Sequence, residues 1–215
     1  TITANDAVKT YGDALILAGN TFRADLSPLY SGDIISGVTF SCDGLAATAP
    51  AGNYPVIPVA VSGSGMENYI FTFVSGTLKV NRKALRIQGL DLFKTYGDQY
   101  IPSGKEFYVD PNSLVAGDTV SAVALTSPGF VANASAGTHL MTVANATGRG
   151  LANYHISYTN ATLHVSKKNV TVTARALSKM YGTGYVFTGK EFDADRSQFA
   201  GTDSIRTVQL SSNAT

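Results

Sequence analysis

The chain has no tryptophan and a single cysteine, Cys42. One thiol excludes an internal disulfide framework. Charged residues make up only 14% of the 215, where a soluble domain usually carries about 25%. Lys and Arg total 16 against 15 Asp and Glu, for a net charge of +1. Such a balance lacks the basic face on which nucleic-acid binding depends, so no nucleic-acid partner is expected. No apolar run reaches the roughly 18 residues of a membrane-spanning helix, so no membrane span is expected in this segment. Thr1 opens directly into the strand-like string "TITA", so no signal peptide is expected in this segment. The segment is therefore expected to be a piece of something longer.

What fills the space is Gly, Ala, Ser, Thr, Asn and Val, with hydrophobic residues at 44%, enough for sizeable cores. One string recurs. "KTYGD" stands at 9–13 and 94–98, and a degraded copy, "KMYGT", at 179–183. Tyr11 to Tyr96 and Tyr96 to Tyr181 are both intervals of 85 residues. With that shift and no gaps, the first unit lies on the second throughout. Asp25 falls on Asp110, Gly32-Asp33 on Gly117-Asp118, Gly52 on Gly137, Asn68-Tyr69 on Asn153-Tyr154 and Val80 on Val165. The third unit carries Tyr181-Gly182, Phe192, Asp195, Phe199 and Asp203 in register. Cys42 falls on Ser127 and Ser212, which argues for a small packing side chain rather than a reactive thiol. Thr215 corresponds to Phe130 and Leu45, midway through a unit. The expected units are residues 1–81, 82–167 and a truncated 168–215. The period further predicts that the natural chain continues past Thr215 by about 35–40 residues of the same repeat.

Each unit opens with alternating residues, "TITA", "LRIQG" or "VTVTA", which predict a half-buried strand. The Tyr-Gly step predicts a chain reversal. Tyr11, Tyr96 and Tyr181 are predicted as core anchors, each buried against its own unit. Asp25, Asp110 and Asp195 begin a second shared pattern. "DPNSLVAGD" places Asp at an N-cap and Pro111 at the first helical position, predicting one or two turns of helix. Metal ligation or acid–base chemistry is the competing reading of these aspartates, and capping is the simpler one. Further alternating strands follow. Pro55 and Pro58 suit a sheet edge. A closing hairpin is predicted, turning at Ser75-Gly76 or Asn160-Ala161, with Tyr69 and Tyr154 as further structural anchors. Each unit thus reads as four or five strands and one short helix. About five residues, "NRKAL" or "SKKNV", join successive units. They are not Gly/Ser-rich, so the joints are expected to be fairly stiff, like beads on a short string.

The succession "LRIQG…KTYGD…F…L..GD…AG.Y…NY…GTL.V" resembles the MBG domain of the YGX type. Such domains recur in tandem in very large bacterial surface proteins, including filamentous-haemagglutinin-like and other adhesins. The resemblance covers two whole units and half of a third. It implies a mostly β, β-grasp-like domain with one short helix, outside the cell, at the bacterial surface or secreted. It assigns no catalytic residues.

No nucleophile elbow, phosphate loop or spaced metal cluster stands in the sequence. No catalytic, cofactor or metal site is therefore expected. His155 and His164 would share a sheet face if the hairpin turned at Asn160-Ala161. Weak zinc binding is then one reading and plain surface polarity the other, since unit one has Ile70 and Lys79 there. His139 aligns with Tyr54 and is predicted to pack in its place. Two functional readings remain. A quasi-one-dimensional array of small domains acts as a stalk, contacting chiefly its neighbouring repeats. Alternatively, each unit binds a host or cell-surface glycan or protein weakly and gains by multivalency, with Tyr54, Tyr69, Tyr100, Tyr108, Tyr154 and Tyr185 as contacts.

Overall fold

The computed structural model describes residues 1–213, so Thr215 lies outside the described residues. Strand is the dominant element. The first repeat contributes β1 (Ile2–Ala4), β2 (Ala7–Thr10), β3 (Phe22–Ala24), β4 (Ile34–Ser41), β5 (Gly52–Ser64), β6 (Phe73–Val74) and β7 (Gly76–Asn81). The second contributes β8 (Lys83–Gly89), β9 (Leu92–Thr95), β10 (Phe107–Tyr108), β11 (Thr119–Thr126), β12 (Gly137–Arg149), β13 (Tyr154–Thr159) and β14 (Ala161–Ser166). β15 (Val172–Ala174) and β16 (Phe192–Ala194) belong to the third. The bounds of β2, β4, β5 and β7 reappear at β9, β11, β12 and β14 after the 85-residue shift.

By contact the chain forms two compact units. The first joins Thr1–Ile87 with Val109–Ala122 and Ala146–Tyr158. The second takes in Gln88–Tyr108, Val123–Asn145 and the described residues from Thr159 onward.

Within the first unit, the first repeat builds two sheets, ordered β3-β1-β6 and β2-β7-β5-β4. β1 is antiparallel to β3 and parallel to β6. β2 is parallel to β7, which is antiparallel to β5, itself antiparallel to β4. The segments β1–β2 and β6–β7 thus run side by side and pass together from one sheet to the other. Asp6 stands at the passage, where its Oδ1 accepts the Thr77 N–H at 2.7 Å. In the second unit Asp91 does the same for Thr162 at 2.8 Å. A side-chain acceptor is needed there because the backbone ladder is interrupted between the sheets.

This topology corrects two expectations and bears out a third. The closing strands are no hairpin. β6 and β7 lie in different sheets, and β14 pairs with β12 and β9. A parallel partner in each sheet outcompetes the local turn. The expected helix is a single 3-10 turn, Pro111–Ser113 in the second repeat and Arg196–Gln198 in the third. Three residues are too few to lay a helix across a sheet, so a β-grasp description is not supported. Pro55 and Pro58 do stand where β5 has a neighbour on one side only: Pro55 is opposite Thr77 of β7, and Pro58 is opposite Phe40 of β4.

The alternation does define the core. Ile2, Val56 and Leu78 are at most 1% exposed, as are their counterparts Ile87, Met141 and Leu163. The third repeat differs. β15 and β16 form one antiparallel pair, and no residue from Ser166 through Asn213 is buried. Val172, the counterpart of Ile2, is 38% exposed. Truncating Leu78 to Ala should destabilise the first repeat by about 2–5 kcal/mol through transfer loss and cavity formation. Val8→Ala, at an exposed position, should change stability by about 0.5 kcal/mol or less. Urea unfolding of both variants checks the pair.

Candidate functional site

The recurring string builds a joint. Its lysine acts first. Lys9 and Lys94 are buried, at 7% and 9% exposure. Lys9 Nζ donates to the carbonyl oxygens of Asp13 (2.9 Å), Leu45 (3.3 Å) and Ala46. Lys94 Nζ donates to those of Asp98 and Val131. Lys179 Nζ reaches Thr183 O at 3.1 Å. The ammonium thus closes the turn on the backbone of the residue four places on. A carboxylate there is unnecessary, which is why Thr183 serves as well as Asp. Burial pushes the Lys9 and Lys94 ammonium groups below their ordinary pKa.

The turn presents Tyr and Gly. Gly12 and Gly97 hold φ of 97° and 94°, in the left-handed region that glycine tolerates. Each also comes close to the next repeat. A Cβ on Gly12 would stand 2.9 Å from Val115 Cγ2, and one on Gly97 the same distance from Ala200 Cβ. Val115 and Ala200 are equivalent positions.

Tyr11 is buried, but not against its own repeat. Its ring meets Tyr154 edge-on, with centroids 5.5 Å apart at 83°. Its hydroxyl donates to Asp118 Oδ2 at 2.9 Å. Tyr154 donates to the same Oδ2 at 2.8 Å and accepts the Val115 N–H at 2.7 Å. Beside it, Asn153 Oδ1 accepts the Ala51 N–H at 3.0 Å. One carboxylate therefore gathers a phenol from each of two repeats, and all these residues fall in the first compact unit. In the second unit, Tyr96 donates to Asp203 Oδ2 at 2.8 Å. The separation is 107 residues in both cases. Tyr181 has no such contact among the described residues and is fully exposed, with Gly182 at φ 79°. The expectation that all three tyrosines pack within their own repeats is thus corrected: Tyr11 and Tyr96 reach forward, and Tyr181 is bare.

Tyr69 repeats the within-repeat half of the arrangement. It donates to Asp33 at 2.6 Å and accepts the Tyr30 N–H at 2.7 Å. Asp25, Asp110 and Asp195 each accept a backbone N–H two residues on, at 2.9–3.0 Å. The closing strands that would have brought His155 and His164 together belong to no hairpin, and His164 stacks on Phe93 at 4.8 Å. His139 takes the place of Tyr54, as expected: its Nε2 meets the Ser135 carbonyl oxygen at 2.8 Å, the counterpart of the Pro50 oxygen to which Tyr54 donates. No group of three or more His, Cys, Asp or Glu among the described residues is placed to hold a metal ion. No helix among them is long and apolar enough to cross a membrane.

Asp33, Asp118 and Asp203 were visible as a shared register but not as the acceptor of the joint. The available signal was that Asp203 keeps its place although its preceding glycine has become Thr202.

The phenols respond to their setting. Burial, reinforced by Asp118 and opposed by the Val115 N–H, pushes Tyr154 up to about 12. Tyr11 is raised by burial first, and Tyr96 and Tyr69 chiefly by their hydrogen bonds to Asp203 and Asp33.

Fold and joint together define a class: tandem β-rich repeats, each locked to the next through a Tyr-Gly turn. The family model described as MBG domain (YGX type) matches residues 1–79 and 85–164. The chain belongs to that family. No curated protein matches it significantly.

A double-mutant cycle on Tyr11→Phe and Asp118→Asn should return a coupling of about 1–3 kcal/mol, the range for a hydrogen bond to a charged group. Chemical denaturation of the four proteins measures it. The Tyr154 phenol has a folded pKa of about 12, above the unfolded value of about 10. Its contribution is therefore complete below about pH 10 and lost as pH rises through about 12. Absorbance at ~295 nm, where phenolate absorbs, should show a late-ionising tyrosine, and Tyr154→Phe should remove that late step.

Proposed function

We propose that the chain is a non-catalytic spacer from the stalk of a large bacterial surface protein of the adhesin kind, displayed at the cell surface or secreted. The repeats are taken as residues 1–81, 82–167 and 168–215, and neighbouring repeats are their principal partners. The observation that carries this reading is the recurrence of one Tyr–Asp contact at both joints. A spacer needs each module to fix the next, and here the recurring string is spent on that contact. The family supports placing the repeats in surface proteins.

The aromatic side chains support the same reading. Tyr54 donates to the Pro50 carbonyl oxygen, Tyr100 stacks on Phe130, and Tyr69 and Tyr154 hold their aspartates. Of the six tyrosines that a ligand-binding module would use, Tyr108 and Tyr185 are exposed. One feature favours the alternative, a weak multivalent binder of glycan or protein. Tyr69, Phe71 and Phe73 form a row with ring centroids 6.2 and 6.4 Å apart, and carbohydrate faces stack on such rows.

Residual dipolar couplings test the spacer. Couplings from residues 1–81 and 82–167 should fit one alignment tensor, and Tyr11→Phe/Asp118→Asn should require two. Two tensors in the unaltered chain would remove the spacer role. Glycan-array binding lost on Phe71→Ala, with the single tensor kept, would favour the alternative.

A further inference from the structure

The first repeat holds a polar cleft of about 480 Å³, lined by Thr3, Asn5, Asp6, Arg23, Ser75 and Gly76 among others. Small-ligand sites measure about 300–1,000 Å³, so the size suits one. The cleft lies where β1–β2 and β6–β7 pass side by side between the sheets. The two segments come close at Gly76, where a Cβ would stand 2.6 Å from the Ala4 oxygen and 2.7 Å from the Asn5 oxygen. Asp6 ties them together through Oδ1 and the Thr77 N–H, which leaves its Oδ2 over. Arg23 stands opposite Thr3 across β3 and β1. Its guanidinium makes no ion pair among the described residues, and the Thr3, Asn5 and Ser75 side chains make no hydrogen bond to them.

The third repeat shows what this pair of strands does with a guanidinium. Arg175 and Asp193 are the 85-residue successors of Leu90 and Tyr108, and so of Asn5 and Arg23. Arg175 donates to Asp193 Oδ1 from Nε at 2.9 Å and from Nη2 at 2.7 Å. In the first repeat the guanidinium stands on the other strand, at Arg23, and the matching position holds an amide, Asn5. A fork built for a carboxylate is therefore present without one. The equivalent face stays open in the second repeat, which a whole repeat precedes: Leu90 and Tyr108 are 45% and 55% exposed. The cleft belongs to the face of its own repeat and not to a joint, since none of its named residues takes part in the Tyr–Asp contacts.

We propose that this cleft binds an acidic saccharide, a sugar ring that carries one carboxylate. Arg23 takes the carboxylate through its two-pronged edge. Thr3, Asn5 and Ser75 exchange hydrogen bonds with the ring hydroxyls. Asp6 Oδ2 accepts from one hydroxyl and repels a second acidic group, which favours a singly charged sugar over a sulfated one. Ala4 and Gly76 complete the lining, with no larger apolar side chain among the described residues, so a hydrophobic acid would bury nothing here. The second repeat has Leu90, Tyr108 and Asn160 at the places of Asn5, Arg23 and Ser75, so the site is single. This goes beyond the spacer reading and is independent of it, because the alignment-tensor result and the binding result can each fail without the other.

The probe is the disaccharide glucuronosyl-galactose, titrated into the full 215-residue chain at about 0.15 M salt, where exposed charges are screened. Saturable shifts of the backbone amide resonances should gather at residues 3–6, 22–24 and 74–77. The methyl ester of the same disaccharide, which lacks the charge, should bind about 10-fold more weakly, on the scale of one hydrogen bond to a charged group. Arg23→Gln, with its circular dichroism unchanged, should lose about the same factor. Arg23→Lys keeps the charge without the fork and should recover only part of it. Asn5→Leu, which installs the second repeat's residue, should also weaken binding. Equimolar inorganic sulfate should not displace the disaccharide. No saturable shift by about 10 mM disaccharide overturns the proposal, since specific binding starts at a Kd of about 1 mM. Equal affinity of the methyl ester or of the Arg23→Gln chain overturns it too, as do shifts confined to other residues. Equal shifts from acetate would overturn the saccharide, and displacement by sulfate would reduce the cleft to an adventitious anion site.

Discussion

One carboxylate oxygen organises the best-formed joint of this chain. Asp118 Oδ2 receives the hydroxyls of Tyr11 and Tyr154, whose rings meet edge to face. Two phenols donating to one ionised oxygen is a charge-assisted arrangement, stronger and more directional than neutral pairs. The rings exclude water while the hydroxyls satisfy the charge. A purely apolar contact would allow sliding and rotation. Here the acceptor sets the distance, and the edge-on ring limits the angle.

The turn that delivers Tyr11 is held with equal economy. A buried ammonium without a carboxylate partner is costly. Lys9 offsets that cost by donating to three backbone carbonyls, that of Asp13 in the turn and those of Leu45 and Ala46 beside it. The same device recurs at Lys94 and, over the turn alone, at Lys179. Glycine then follows tyrosine for two reasons: the backbone takes a positive φ, and the next repeat comes too close for a Cβ. Lys, Tyr and Gly of the recurring string thus each have a task, and the two letters that change in the third copy are the Thr, which becomes Met180, and the Asp, which becomes Thr183 and whose backbone oxygen the lysine uses.

The third repeat shows what the arrangement requires. Its Lys–Thr183 turn and its Asp195 cap form, because both are local. Its strands pair once, because that partner is local in sequence as well. No buried core forms among its described residues. In the first two repeats that core draws on Met141, Val143, Leu163 and Val165 or their counterparts, positions that have no counterpart among the described residues of the third. Local chemistry makes turns and caps, whereas burial needs the long β5 and β7 equivalents.

Period and strand content were legible in the sequence by itself. Each rests on patterns within a few residues, repeated at a fixed interval: alternation for strands, Asp before Pro for the cap, Tyr-Gly for the turn. The partner of the Tyr-Gly turn was not legible. Every repeat offers an aspartate in the same register, so Asp33 and Asp118 are equivalent candidates for Tyr11 as far as spacing goes. The same limit hid the closing strands. Local turn chemistry at Ser75-Gly76 favours a hairpin, while the parallel pairings of β6 with β1 and β7 with β2 join residues about 70 positions apart. Contacts across such a separation are chosen by the burial that they complete, and that sum exists only once the chain is folded.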